Sequence, residues 1–140
     1  MKVKNNDYNK FENKRKRISE AKIYHSLTVL YPKIDTMVSS LSKPNLYTIG
    51  TSILNNVAII IEKIQVSYST EDLDIKIKRL EEAITLFSII QVHLKFLQDT
   101  GISKGRHYTN MIPNIIDIEE QMENWLKSIR KKIKYYMFCL

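Results

Sequence analysis

The sequence predicts an all-α chain, an antiparallel up-down-up-down four-helix bundle, from three observations. Apolar residues recur at alternating spacings of three and four in four long stretches, the pattern of helices that each bury one face. Glycine and proline contribute only three residues each, too few turn-formers for a many-stranded β fold. The connections between the four stretches are short, so consecutive helices fold back on one another. A helical bundle of 140 residues buries a working core without metals or disulfides.

Residues 1–18 lack apolar periodicity and are rich in Asn, Lys and Arg, and they read as a basic, flexible N-terminal arm ahead of a bundle spanning 19–132. The first helix carries Ile23, Leu27, Leu30, Ile34, Met37 and Leu41 on one face. Pro32 removes a backbone hydrogen bond to Thr28, so a bend is expected there, and the stripe keeps its phase across it. Ser42-Lys43-Pro44-Asn45 is the first connection, because proline disfavours the α region at Lys43 and a helix restarts just after it.

The second helix shows Leu46, Ile49, Ile53, Val57, Ile60 and Ile64, widened by Leu54, Ala58 and Ile61, and ends near Tyr68. Ser69-Thr70-Glu71-Asp72 supplies an N-cap and two acids for the positive end of the third helix. That helix carries Leu73, Ile77, Leu80, Ile84, Phe87, Leu94 and Leu97, and Gly101 is its natural stop. Ser103 is a candidate N-cap for the fourth, with Tyr108, Met111, Ile115, Ile118, Met122, Trp125 and Ile129 in its stripe and a kink expected at Pro113. Residues 133–140 form an apolar C-terminal tail with Tyr135, Tyr136, Met137 and Phe138.

The net charge of +7 is segregated. Residues 1–22 hold eight Lys/Arg against three acids, a net +5, and residues 127–140 hold five and no acid, also +5, leaving −3 for the stretch between. Such terminal blocks suggest a polyanionic partner, most often nucleic acid. The candidate binding residues are Lys14, Arg15, Lys16 and Arg17 at one end and Lys127, Arg130, Lys131, Lys132 and Lys134 at the other. In an antiparallel bundle of four helices both ends lie at one pole. Solvated ends that keep a small protein soluble are the plainer alternative. Tyr135, Tyr136 and Phe138 read first as packing or a subunit interface, since stacking platforms sit on rigid surfaces rather than at a terminus.

No catalytic or metal-binding pattern stands out. The three histidines, His25, His93 and His107, fall on three different helices without the Glu-x-x-His spacing of di-iron bundles, and His93 reads as a partly buried histidine with its hydrogen bonds satisfied. Glu81-Glu82 and Glu119-Glu120 are adjacent pairs whose members point about 100° apart on a helix, so they read as solvated faces or partners for Lys78, Arg79 and Lys127. There is no Gly-rich phosphate loop, metalloprotease His pair or nucleophile elbow. The chain is therefore expected to be non-enzymatic, with no cofactor. The single Cys139 has no partner for a disulfide, and no secretory signal or membrane span is evident, so the expected location is cytoplasmic.

Three segments carry a family resemblance: Leu46-Tyr47-Thr48-Ile49-Gly50, Asp99-Thr100-Gly101-Ile102-Ser103 and Trp125-Leu126-Lys127-Ser128. In that order and at those separations they resemble the four-helix-bundle family of accessory variability determinant (Avd) proteins from diversity-generating retroelements. Its sister branch is encoded in intervening sequences of bacterial 23S ribosomal RNA. The resemblance covers about residues 20–130. It implies a homopentameric ring that binds a reverse transcriptase and contacts RNA or DNA, supporting mutagenic copying of a template repeat without doing chemistry. The alternatives are an intervening-sequence-type bundle, or a general helical module for nucleic acid or protein. Gly50, costly inside a helix, reads in this light as a point of close helix approach.

Overall fold

The computed structural model describes residues 17–139. Among them there is no strand, and four long helices dominate: α1 (Lys22–Ser39), α2 (Thr51–Ser69), α3 (Leu73–Asp99) and α4 (His107–Cys139). Each exists for the reason its periodicity implies. The six apolar positions read for α1 are all buried, and Leu30, Ile34 and Met37 meet Ile53, Ile60 and Ile64 of α2, Leu80, Phe87 and Leu94 of α3, and Met111, Ile118 and Met122 of α4 in one core. A fully buried side chain of this size contributes about 1.5–3 kcal/mol. The stripe on α2 is narrower than its sequence suggests, because Ala58 and Ile61 face outward.

Helix α3 packs against both α2 and α4, and α4 packs also against α1. Polar contacts give the register. Between α2 and α3, Ser67 Oγ donates to the carbonyl of Lys76 at 2.8 Å, and further on Lys63 meets Glu82. Between α3 and α4, Gln98 Nε2 donates to Thr109 Oγ1 at 3.3 Å, Gln91 to Glu119, and Arg130 to Glu81 at 2.7 Å. Between α1 and α4, Gln121 Nε2 donates to Ser26 Oγ at 2.8 Å and Lys33 Nζ to Asn114 Oδ1 at 2.6 Å. In each pair the contacts advance along one helix as they retreat along the other.

The ends and connections differ in several places from the sequence reading. The arm does not extend to residue 18: Ile18 is buried in a 3-10 turn (Ile18–Glu20), and its N–H donates to Gln65 Oε1 at 2.9 Å. Lys43 is not pushed out of the helical region by Pro44; the extended residue is Ser42 (ψ 154°), and Lys43–Asn45 already form a turn with proline among its first positions. A π turn (Leu46–Gly50) then leads into α2. A Cβ on buried Gly50 would lie 3.0 Å from Val38 Cγ1 and 3.4 Å from Leu41 Cδ1, so the missing side chain is what lets this turn approach the end of α1.

Within the Ser69-Thr70-Glu71-Asp72 connection it is Asp72, one of the two acids, that caps α3, its carboxylate accepting the N–H groups of Asp74 and Ile75. Gly101 follows the helix with φ +74°, and its N–H donates to the carbonyl of Gln98. Ser103 does not cap the next helix. It is buried, its N–H closes α3 by donating to the carbonyl of Leu97, and a second left-handed residue, Gly105 (φ +88°), delays α4 to His107. Neither Pro32 nor Pro113 ends its helix. Residues 133–139 are not a separate tail, since α4 continues through them to Cys139.

Candidate nucleic-acid interface

The last turns of α4 bear Lys127, Arg130, Lys131, Lys132 and Lys134, all exposed, with no acidic residue from 127 to 139. Arg130 Nη2 pairs with Glu81 Oε1 at 2.7 Å, but both side chains are about half exposed, and such a pair contributes at most about 1 kcal/mol. The other four form no ion pair among the described residues. Of the N-terminal cluster, Lys14, Arg15 and Lys16 lie outside the described residues. Arg17 is exposed and immediately precedes Ile18, which is tied to Gln65, less than one helical turn before Tyr68.

Tyr68 matters because it opens a groove of about 820 Å³ that the sequence reading did not foresee. One wall is the α2–α3 connection, with Tyr68, Thr70, Glu71 and Leu73; the other is α4, with Lys131, Lys132, Tyr135 and Tyr136. Trp125 meets the edge of Tyr68 with ring centroids 6.0 Å apart and packs against the core, which holds the wall in place. Lys76 reinforces the connection, its Nζ donating to the carbonyls of Ser67 (2.9 Å) and Tyr68 (3.4 Å) at the negative end of α2.

Tyr135, Tyr136 and Phe138 are 67%, 58% and 90% exposed, so they do not pack on the described part of the bundle. They stand on a continuous helix, which removes the reason for reading them as unsuited to stacking. Only the α4 side of the groove was visible in the sequence. Tyr68, Thr70 and Leu73 read as a helix end and a cap, and nothing local marks them as facing residues more than fifty positions away.

Other polar residues form contacts within the bundle. Glu82 joins Lys63 and Arg79, and the hydrogen bond from Lys63, opposed by desolvation and helped by the charges of Lys63 and Arg79, holds its carboxyl below the ordinary range. Glu81 pairs with Arg130 rather than with its neighbours on α3. His25, His93 and His107 remain on separate helices; His93 is partly buried but not satisfied as expected, since its Nδ1 is buried without a hydrogen-bond partner among the described residues. Among the described residues no three His, Cys, Asp or Glu side chains gather as metal ligands, and no helix is long and apolar enough to cross a membrane. Comparison with models of protein families, with curated proteins and with solved structures found no match.

Proposed function

We propose that this chain is a non-enzymatic, Avd-like accessory protein: an antiparallel up-down-up-down bundle whose basic end binds RNA or DNA while the body, as a homopentameric ring in the cytoplasm, holds a reverse transcriptase near its template. The observation that carries the reading is the acid-free, exposed run of cations on the last turns of α4, with Arg17 anchored close by through Ile18. Lysine and arginine on a rigid helix release counterions from a phosphate backbone without reading bases, which suits a protein that must hold any template. The opposed stepping of the contacts supports the topology, since it brings the start of α1, the end of α2 and the end of α4 to one pole.

The test is nucleic-acid binding as a function of salt. Replacing Arg130, Lys131 and Lys132 with Ala should weaken binding to any sequence and flatten the plot of log affinity against log salt by about two to three units, at roughly 0.7–0.9 per lost phosphate contact. Unchanged affinity and slope would remove the basic end from the interface. Light scattering tests the ring, which a stable monomer of 16.5 kDa would exclude. An adjacent reverse-transcriptase gene with paired repeats would support the retroelement role, whereas a position inside a 23S ribosomal RNA gene would favour the sister branch.

A further inference from the structure

Helix α4 runs past the start of α1 at the pole where the groove lies. The Gln121–Ser26 hydrogen bond sets the register of α4 on α1, and α1 begins one turn before Ser26, so its first residue lies level with about Trp125. The last turns of α4, about 21 Å of helix at 1.5 Å per residue, overrun it. On that overhang Lys131, Lys132, Tyr135 and Tyr136 face the end of α2 and the start of α3 across an open cleft.

We infer that this groove takes single-stranded nucleic acid, with bases stacked on the rings of Tyr135 and Tyr136 and the backbone running along Lys131 and Lys132. The inference rests on the nucleic-acid reading above and specifies which form of the polymer is bound. The cleft combines the two chemistries that a single strand offers together. Its phosphates need cations, and neither Lys131 nor Lys132 has an ion-pair partner among the described residues. Its bases present unpaired π faces, and the two tyrosines offer exposed rings on an ordered helix, 6.0 Å apart and steeply inclined, so each presents its face in a different direction.

A duplex meets only half of this description. Its base faces are already stacked, so it can use the lysines but not the rings. Glu71 on the opposite wall disfavours phosphate there and leaves the α4 side for the backbone. A two-fold contact of this cleft with the same cleft on a second copy would bring like charges together.

The experiment uses the full chain, a fluorescein-labelled oligothymidine of about 12 nucleotides, and a duplex of similar length, compared by fluorescence anisotropy. The sequence holds one tryptophan, Trp125, in edge contact with the groove residue Tyr68, so its emission should change as the single strand binds. Tyr135→Ala with Tyr136→Ala should lower single-strand affinity by at least about fivefold, the least effect of losing one stacked base, and by more where both rings carry a base, while duplex affinity changes less than about twofold. The Phe pair should retain single-strand binding. Both tyrosines are mostly exposed, so the Ala pair should keep its helicity, which circular dichroism checks.

Wild-type binding to single strand and duplex with equal loss or no loss in the Ala pair would overturn the groove proposal and leave the basic interface standing. Binding to neither probe by the wild type would overturn both. An oligomer that dissociates in the Ala pair, with single-strand affinity untouched, would assign the groove to a second copy and also overturn the proposal.

Discussion

Gly50→Ala sets two opposing effects against each other at a position where both can be sized. Alanine in place of glycine in a helix gains about 1 kcal/mol through the reduced entropy of the unfolded chain. Against this, the new methyl would sit 3.0 Å from Val38 Cγ1 and 3.4 Å from both Leu41 Cδ1 and the carbonyl oxygen of Asn45. None of these neighbours yields easily. Val38 is 1% exposed, and a β-branched side chain on a helix has essentially one rotamer; Leu41 is 6% exposed; the Asn45 oxygen is backbone. Overpacking of this kind costs about 1–3 kcal/mol, so the substitution should destabilise the protein by about 1 kcal/mol, and Gly50→Leu by more than about 3 kcal/mol. Equilibrium denaturant unfolding followed by circular dichroism measures both. Removing the obstructing methyls should change the sign: in a Val38→Ala background, Gly50→Ala should become neutral or stabilising, a coupling of at least about 1 kcal/mol. A Gly50→Ala variant about 1 kcal/mol more stable than the wild type, with no coupling to Val38, would refute the idea that close approach reserves this position for glycine.

Two further outcomes test local chemistry. Asp72→Ala strips the cap from two N–H groups of α3 and should cost about 1 kcal/mol in unfolding free energy, while Asp72→Asn, which still caps, should cost less; equal losses would mean that capping is not the cause. For Glu82 the folded-state carboxyl lies below its ordinary value near 4.5, so its contribution is complete above that pH and is lost as pH falls through the lower, folded value. Glu82→Gln should therefore flatten the acid limb of stability against pH below about 4.5 and leave its slope unchanged nearer neutrality. Coincident acid limbs for the two proteins would show that the Lys63 hydrogen bond does not perturb this group.

The parts of the fold that were legible in the sequence are those governed by neighbours three or four residues apart. The buried face of α1 followed from six residues, and a cap within Ser69-Thr70-Glu71-Asp72 and the stop at Gly101 followed from side-chain and backbone chemistry that acts within one turn. Misreadings cluster where a local signal was overridden from a distance. Ser103 has the composition of an N-cap, but the carbonyl of Leu97 took its N–H and Gly105 allowed one more reversal before α4 began. Residues 133–139 looked like a loose apolar tail, yet a helix already propagating from His107 extends at little cost per added residue. The cations of the candidate interface were plain in the sequence, as a block of charge is; the tyrosines beside them were plain as residues, and their place on a continuous helix came from the structure.

Four amphipathic helices, the stop at Gly101 and the gathering of positive charge at the chain ends were readable from the sequence alone, because periodicity, turn chemistry and composition are properties of short stretches. Only the tertiary structure decided that Ile18 docks on α2, that a π turn at Gly50 lies against Val38, and that Tyr68 and Leu73 face Lys132 and Tyr136 across a cleft. Those facts depend on register between helices, which the interlocking of buried side chains sets once packing occurs. The cleft in particular joins residues of α2, α3 and α4 that come together only when those helices pack.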